Sequence, residues 1–179
     1  MKTPRDNHGR APKRGRGFSL IELVAVMTVA AILAAVAVPS MMSTGSMRRR
    51  SAAAQVARDL RLARELGCTT GRTAWLVFDT TAQTYALMQE PMGTPGRGLS
   101  VAWTDPATGR AFQQSMNTGD WVGVTIDSVS LGGGSWIGFD RLGRPLAFSE
   151  TQLTGTAQVV LGAVTILVEP GTGRVEVTP

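Results

Sequence analysis

The chain has 179 residues, 43% of them hydrophobic, with a formal net charge of +5 and a pI near 10.6, room for one modest domain plus an appendage. The charge hints at nucleic acid, but it is confined to residues 1–17, where Lys2, Arg5, Arg10, Lys13, Arg14 and Arg16 face one acid, Asp6. From residue 18 onward twelve arginines meet twelve acids, so the body of the chain lacks the electrostatic footprint of a nucleic-acid binder.

Residues 1–17 are polar, rich in Arg, Gly and Pro, and carry no apolar period, which predicts a disordered basic leader. Residues 18–38 form an apolar run with a single charge, Glu22. As a helix this run is about 30 Å long and predicts a transmembrane span. The basic residues before it place the N-terminus in the cytoplasm and everything after Pro39 across the membrane. An ionised group in hydrocarbon is costly, which makes Glu22 a functional candidate; the plainer role is snorkelling to the nearby interface.

Pro39, Gly45 and Ser46 interrupt the pattern, and a helix survives such a proline with a kink and a lost hydrogen bond. Residues 51–67 then predict an amphipathic helix. Ala53, Val56, Ala57, Leu60 and Ala63 share one face. Arg58, Asp59, Arg61 and Glu65 point mostly away from it, and Gly67 is the expected C-terminal stop. One N-terminal helix over residues 18–67 results, with 18–38 spanning the membrane and 51–67 docking on a domain.

Residues 68–179 read as that domain, in the periplasm. Strand candidates are residues 73–79, 84–89, 99–103, 111–116, 122–129, 136–140, 146–148, 157–161, 164–168 and 174–178, broken by turn signals. Short strands without intervening helices imply an antiparallel sheet or sandwich. The fold class is therefore α+β: a long N-terminal spine helix packed on an antiparallel β-sandwich-like domain.

A catalytic site does not emerge. The one histidine, His8, lies in the leader, and Cys68 is alone, so neither a serine nor a cysteine nucleophile has a base, and no disulfide or zinc site forms within the chain. No cofactor, metal or enzymatic activity is expected. Asp127, Asp140 and Glu150 lack a common spacing and read as turn and surface residues, and 132–134 reads as a β-connection. Trp75, Trp103, Trp121 and Trp136 read as core aromatics. Arg48, Arg49 and Arg50 read as a stop-transfer-like cluster or solvated helix face, with acidic lipid or nucleic acid as the sharper alternative.

The heptapeptide Gly17-Phe18-Ser19-Leu20-Ile21-Glu22-Leu23, between a basic leader and an apolar run, resembles the class III signal of type IV pilins and type II secretion pseudopilins. An ordinary signal anchor, or a signal peptide cut after residues 35–37, does not account for Glu22. The resemblance implies cleavage after Gly17 by a prepilin peptidase, N-methylation of Phe18, and a role for Glu22 in assembly. Pro39 matches the proline within the N-terminal helix of many members. Cleavage also removes the whole positive excess. The leader is longer than the commonest ones.

Residues 53–66, the stretch 136–145 with its Phe139-x-x-x-Gly143-x-Pro145 pattern, and the ending 164–177 with Gly173-Arg174 are similar to the GspH/FimT group. That implies a pilin-like fold and a minor pseudopilin of a type II secretion system, in the inner membrane near the filament tip. Its partners would be other pseudopilins or pilins, met through the N-terminal helix. The alternative is a FimT-like minor type IV pilin serving pilus assembly or DNA uptake. DNA is the less expected partner, because the Gly-Arg-x-Arg motif of DNA-binding members is matched here by Gly173-Arg174-Val175-Glu176, with an acid in the last place.

Overall fold

The computed structural model describes residues 19–179, without the side chains of residues 35–43. The leader, Gly17 and Phe18 lie outside the described residues, and so does the side chain of Pro39. The chain divides into two compact units, Met1–Met41 and Met42–Pro179.

Helix α1 (Leu20–Thr70) contributes to both units. It opens at Ser19, whose carbonyl accepts the N–H groups of Glu22 at 3.0 Å and Leu23 at 3.1 Å. Ser19 with Glu22 three residues on has the spacing of a capping box, and a carboxylate in the first turn complements the positive end of the helix dipole. The helical assignment continues through position 39. Among the described residues no helix is long and apolar enough to cross a membrane. The part of the apolar run with described side chains, residues 19–34, falls short of the roughly 20 residues a span requires.

In the second unit one face of α1 is fully buried by Ala52, Ala53, Val56, Ala57, Leu60 and Ala63. The predicted stop at Gly67 is not where the helix ends. It runs to Thr70, and Gly71 at φ 67° caps it by donating its N–H to the Gly67 carbonyl at 3.1 Å, a left-handed C-cap. Gly67 is needed for another reason: a Cβ there would stand 2.7 Å from the carbonyl oxygens of Phe139 and Asp140.

Ten strands follow: β1 (Ala74–Asp79), β2 (Thr84–Gln89), β3 (Val101–Ala102), β4 (Gln113–Ser115), β5 (Ser128–Ser130), β6 (Trp136–Phe139), β7 (Pro145–Leu146), β8 (Ala157–Leu161), β9 (Val164–Val168) and β10 (Val175–Thr178). One sheet has the order β3-β2-β1-β6-β7, with β4 also on β2, and the other β10-β9-β8-β5. Every pairing is antiparallel. Alternation sends Leu76, Phe78, Tyr85 and Leu87 of the first sheet and Val159, Leu161, Ile166 and Val168 of the second into a single core with α1, as the two-residue period of a strand requires.

The hairpins β1–β2 and β8–β9 have their strands where the sequence predicts strands, within one residue. The first turns over Asp79, whose Oδ1 accepts the N–H groups of Thr81 and Ala82 at 2.9 and 2.8 Å. The second pairs Leu161 with Val164 across a two-residue turn opening on Gly162 at φ 64°, the conformation such turns favour. The candidate at 122–129 shrinks to β5, for a physical reason. The side-chain amide of Gln83 accepts the Ile126 N–H at 2.6 Å and donates to the Ile126 carbonyl at 3.1 Å. A side chain thus takes the place of a neighbouring strand, while Val124 and Ile126 stay buried. The candidates at 99–103, 111–116 and 146–148 are likewise shortened.

Candidate assembly site

Among the described residues of the first unit, the helix is a column of exposed apolar side chains. Leu20, Ile21, Leu23, Val24, Val26, Met27, Val29, Ile32 and Leu33 are all exposed, from 49% to 79%. These residues point in every direction around the axis, unlike the one-sided stripe of a helix lying on its own core. Glu22 heads one face of this column, followed by Ala25, Val26, Val29, Ala30 and Leu33, which line a shallow apolar groove. The small Ala25 and Ala30 leave room there for another helix to approach closely. Glu22 is exposed, and no cation is ion-paired with it among the described residues.

The remaining candidates are not drawn together. The Asp127 carboxylate accepts the Gly162 N–H at 2.7 Å and the Thr125 hydroxyl at 2.6 Å. Glu150 accepts the Arg97 N–H at 3.1 Å. Asp140 closes the β6–β7 turn by accepting the N–H groups of Leu142 and Arg144 and pairing with the Arg144 guanidinium at 2.8 Å. Partial burial pushes the Asp140 carboxyl up, but the Arg144 N–H and guanidinium and the Leu142 N–H hold it below the ordinary value. Among the described residues no group of three or more His, Cys, Asp or Glu side chains is placed to hold a metal ion. Gly132 and Gly134 are packing points, against Ala147 and Leu153 and against the Phe148 ring.

Of the four tryptophans only Trp75 is fully buried, and it lies on the sheet face away from the core. There it meets Trp136 edge-on at 6.5 Å and donates to Glu90 at 3.1 Å, while the Arg97 guanidinium lies 5.2 Å over Trp136 and 3.7 Å over Phe148. Trp103 and Trp121 pack partly buried against the core.

The polar side of α1 departs from the sequence expectation. Asp59, assigned outward, is 4% exposed and accepts the Tyr85 hydroxyl at 2.6 Å. Arg61 donates to the Val175 carbonyl at 2.9 Å and Arg64 to the Gly143 carbonyl at 3.2 Å. These three side chains tie α1 to β2, β10 and the β6–β7 turn. The two C-terminal stretches singled out in the sequence also meet: a Cβ on Gly173 would stand 2.7 Å from the Gly143 carbonyl, and one on Gly143 would stand 3.0 Å from the Cys68 sulfur. Arg174 forms an ion pair with Glu176, two residues on.

Residues 12–38 match the prokaryotic N-terminal methylation motif. No curated protein sequence matches the chain. Two solved structures of the minor pseudopilin EpsH from the type II secretion system of Vibrio cholerae are similar to it, each with a TM-score of 0.51. They are 13% and 12% identical over 73% of this chain and cover 94% and 95% of their own. The type IV minor pilin FimU of Pseudomonas aeruginosa has a TM-score of 0.43 at 12% identity, over 73% of this chain and 92% of its own. The chain is thus pilin-like in its N-terminal motif, and its helix packed on antiparallel sheets is the fold of EpsH.

Proposed function

We propose that the chain is a structural subunit, a minor pseudopilin of a type II secretion system. A prepilin peptidase cuts after Gly17 and methylates Phe18. The apolar segment anchors the protein in the inner membrane with its β domain in the periplasm, and the subunit then enters a short pseudopilus at or near its tip. The observation that carries this reading is the methylation motif over residues 12–38 continuing into a helix whose apolar side chains are exposed on all sides. Such a surface is stable in lipid or among like helices, and not in water. An open, head-to-tail assembly places each helix against its neighbours and extends without closing.

The new N-terminal amine at Phe18 stands four residues from Glu22. In a filament the acid of one subunit meets the amine of the next, and each satisfies a charge otherwise badly solvated in hydrocarbon. The FimT-like reading, with DNA as partner, is disfavoured by the Arg174–Glu176 pair, which neutralises the cation a phosphate would need.

N-terminal sequencing with mass analysis of the mature protein is the test. A start at methylated Phe18 is expected, and a start at Val38 would identify a secreted protein and end the filament reading. Salt-dependent binding of duplex DNA by the mature chain, without the basic residues 1–17, would transfer the assignment to a minor type IV pilin.

A further inference from the structure

We propose that the face of the second unit built from Met47, Arg48, Arg50, Trp121 and Val122 is a docking surface for an anionic phospholipid bilayer. The inference rests on the reading of residues 18–38 as the membrane anchor.

Arg48, Arg49 and Arg50 are the one run of consecutive basic residues after residue 17. Two of them are not loose in solvent. Arg48 donates to the Val122 carbonyl at 3.4 Å, beside the 119–123 loop. The Arg49 stem lies over Gly162, where an added Cβ would stand 2.7 Å from its Cδ. The run is laid against two loops of the β domain, and its charge is presented on a formed surface.

That surface also carries apolar groups. Met47 is 68% and Val122 53% exposed, and Trp121, next to Val122 in sequence, is half-buried against the core. Guanidinium groups interleaved with an indole and aliphatic tips are the composition that binds at a lipid headgroup boundary. Two acids are near. Asp120 is exposed, whereas both Asp127 oxygens are engaged, by the Gly162 N–H and the Thr125 hydroxyl. Arg49 lies over Gly162, which Asp127 also holds, so these two charges offset each other; Arg48 and Arg50 against Asp120 leave the face positive, which selects anionic over zwitterionic headgroups.

Lipid is favoured over other polyanions by tethering. The apolar run ends at Val38, ten residues before Arg48, so Arg48 stands within about 35 Å of the bilayer core even with the intervening chain fully extended. The effective concentration of membrane surface is therefore high whatever the affinity of the face. A nucleic acid has no such tether, and approaches a body whose twelve arginines are matched by twelve acids.

The test uses the full chain in nanodiscs of phosphatidylcholine alone, or of phosphatidylcholine with phosphatidylglycerol, read by hydrogen exchange at residues 119–124. Exchange slowed about tenfold in the phosphatidylglycerol discs is expected, a size within reach of two surface arginines. The slowing should disappear in Arg48→Glu with Arg50→Glu and weaken in Arg50→Gln, which touches only an exposed side chain. Equal exchange in the two lipids, or protection that survives the double change, overturns the proposal while co-elution with the discs upholds the anchor. Failure to co-elute overturns both. Protection by added duplex DNA and not by phosphatidylglycerol assigns the face to nucleic acid instead.

Discussion

The Tyr85 hydroxyl donates to Oδ2 of Asp59 at 2.6 Å in the seam between α1 and β2, where Tyr85 is 1% and Asp59 4% exposed. The Asp59 oxygens also accept from the Gln55 amide at 3.0 and 3.1 Å, and Arg58 holds Gln55 in turn. The carboxylate is thus satisfied by neutral donors, with no direct ion pair among the described residues. Asp59→Ala leaves a buried hydroxyl without its acceptor and is expected to cost about 2–3 kcal/mol; Tyr85→Phe removes the strongest donor to a buried acid and is expected to cost a similar amount. Because both changes break one contact, the double variant should cost less than the two singly. Urea unfolding of the full chain in detergent measures all three, and strict additivity would show that the bond contributes nothing.

Stability should depend on pH through the same acid. Burial pushes the Asp59 carboxyl above its ordinary value of 3.8, against the opposing bonds from Tyr85 and Gln55 and the nearby Arg58. The folded chain therefore keeps this proton to higher pH than the unfolded chain. The associated stability is full below pH 3.8 and is lost as pH rises through the raised value. Asp140, held low in the β6–β7 turn, acts in the opposite sense: its contribution is present above 3.8 and fades as pH falls through the lowered value. Asp59→Asn keeps the shape and removes only the first effect. Just above pH 3.8 its stability should fall less with rising pH than that of the parent, while the acid limb set by Asp140 stays unchanged.

Much of this was legible in the chain. The strands of the β1–β2 and β8–β9 hairpins follow from short runs bounded by turn signals, and the methylation motif follows from an acid placed behind a basic leader. Asp59 was not, and the reason is instructive. Spacing alone puts position 59 on the face of Ala52, Val56 and Ala63, but its charge argues outward. Only Tyr85, distant in sequence, makes the inward placement affordable. Trp75 reads as a core aromatic and is fully buried, but its indole meets Trp136 and Glu90, partners that its own stretch of sequence does not show. Residues 122–129 have the composition of a strand, yet Gln83 supplies their partner from a side chain, which no local pattern announces. Gly67 was recognised as special for the wrong cause, conformation in place of clearance.

That clearance makes a paired prediction. Gly67→Ala gains helix propensity of about 1 kcal/mol, but its Cβ must enter 2.7 Å from two backbone carbonyls of the β6–β7 turn, which cannot swing aside as a side chain can. A net loss of about 1–3 kcal/mol is expected, as for overpacking in a rigid core. Gly45→Ala, on the same helix with nothing within 4 Å of the added Cβ, should instead gain about 0.5–1 kcal/mol. Thermal unfolding of the two variants side by side checks the argument. Equal shifts of the same sign would mean that propensity, not clearance, governs Gly67.

Glu22→Ala separates anchoring from assembly. The change removes the one charge from an otherwise apolar run of residues 18–38, so partition into membrane should be unchanged or slightly improved. In the proposed filament the same change would leave the neighbour's Phe18 amine without a counter-charge in a low-dielectric core. Removing one partner of such a pair costs about 3–5 kcal/mol, so incorporation should fall by at least about a hundredfold by the usual conversion of 1.4 kcal/mol per decade. Glu22→Asp keeps the charge on a shorter arm and should recover part of the loss, whereas Glu22→Gln keeps the length and should not. Crosslinking of the variants to neighbouring subunits, at native expression level, reads incorporation, and membrane fractionation of the same cells reads insertion. Normal crosslinking of Glu22→Ala would show that the apolar column assembles by packing alone and that the acid serves only the first turn of α1.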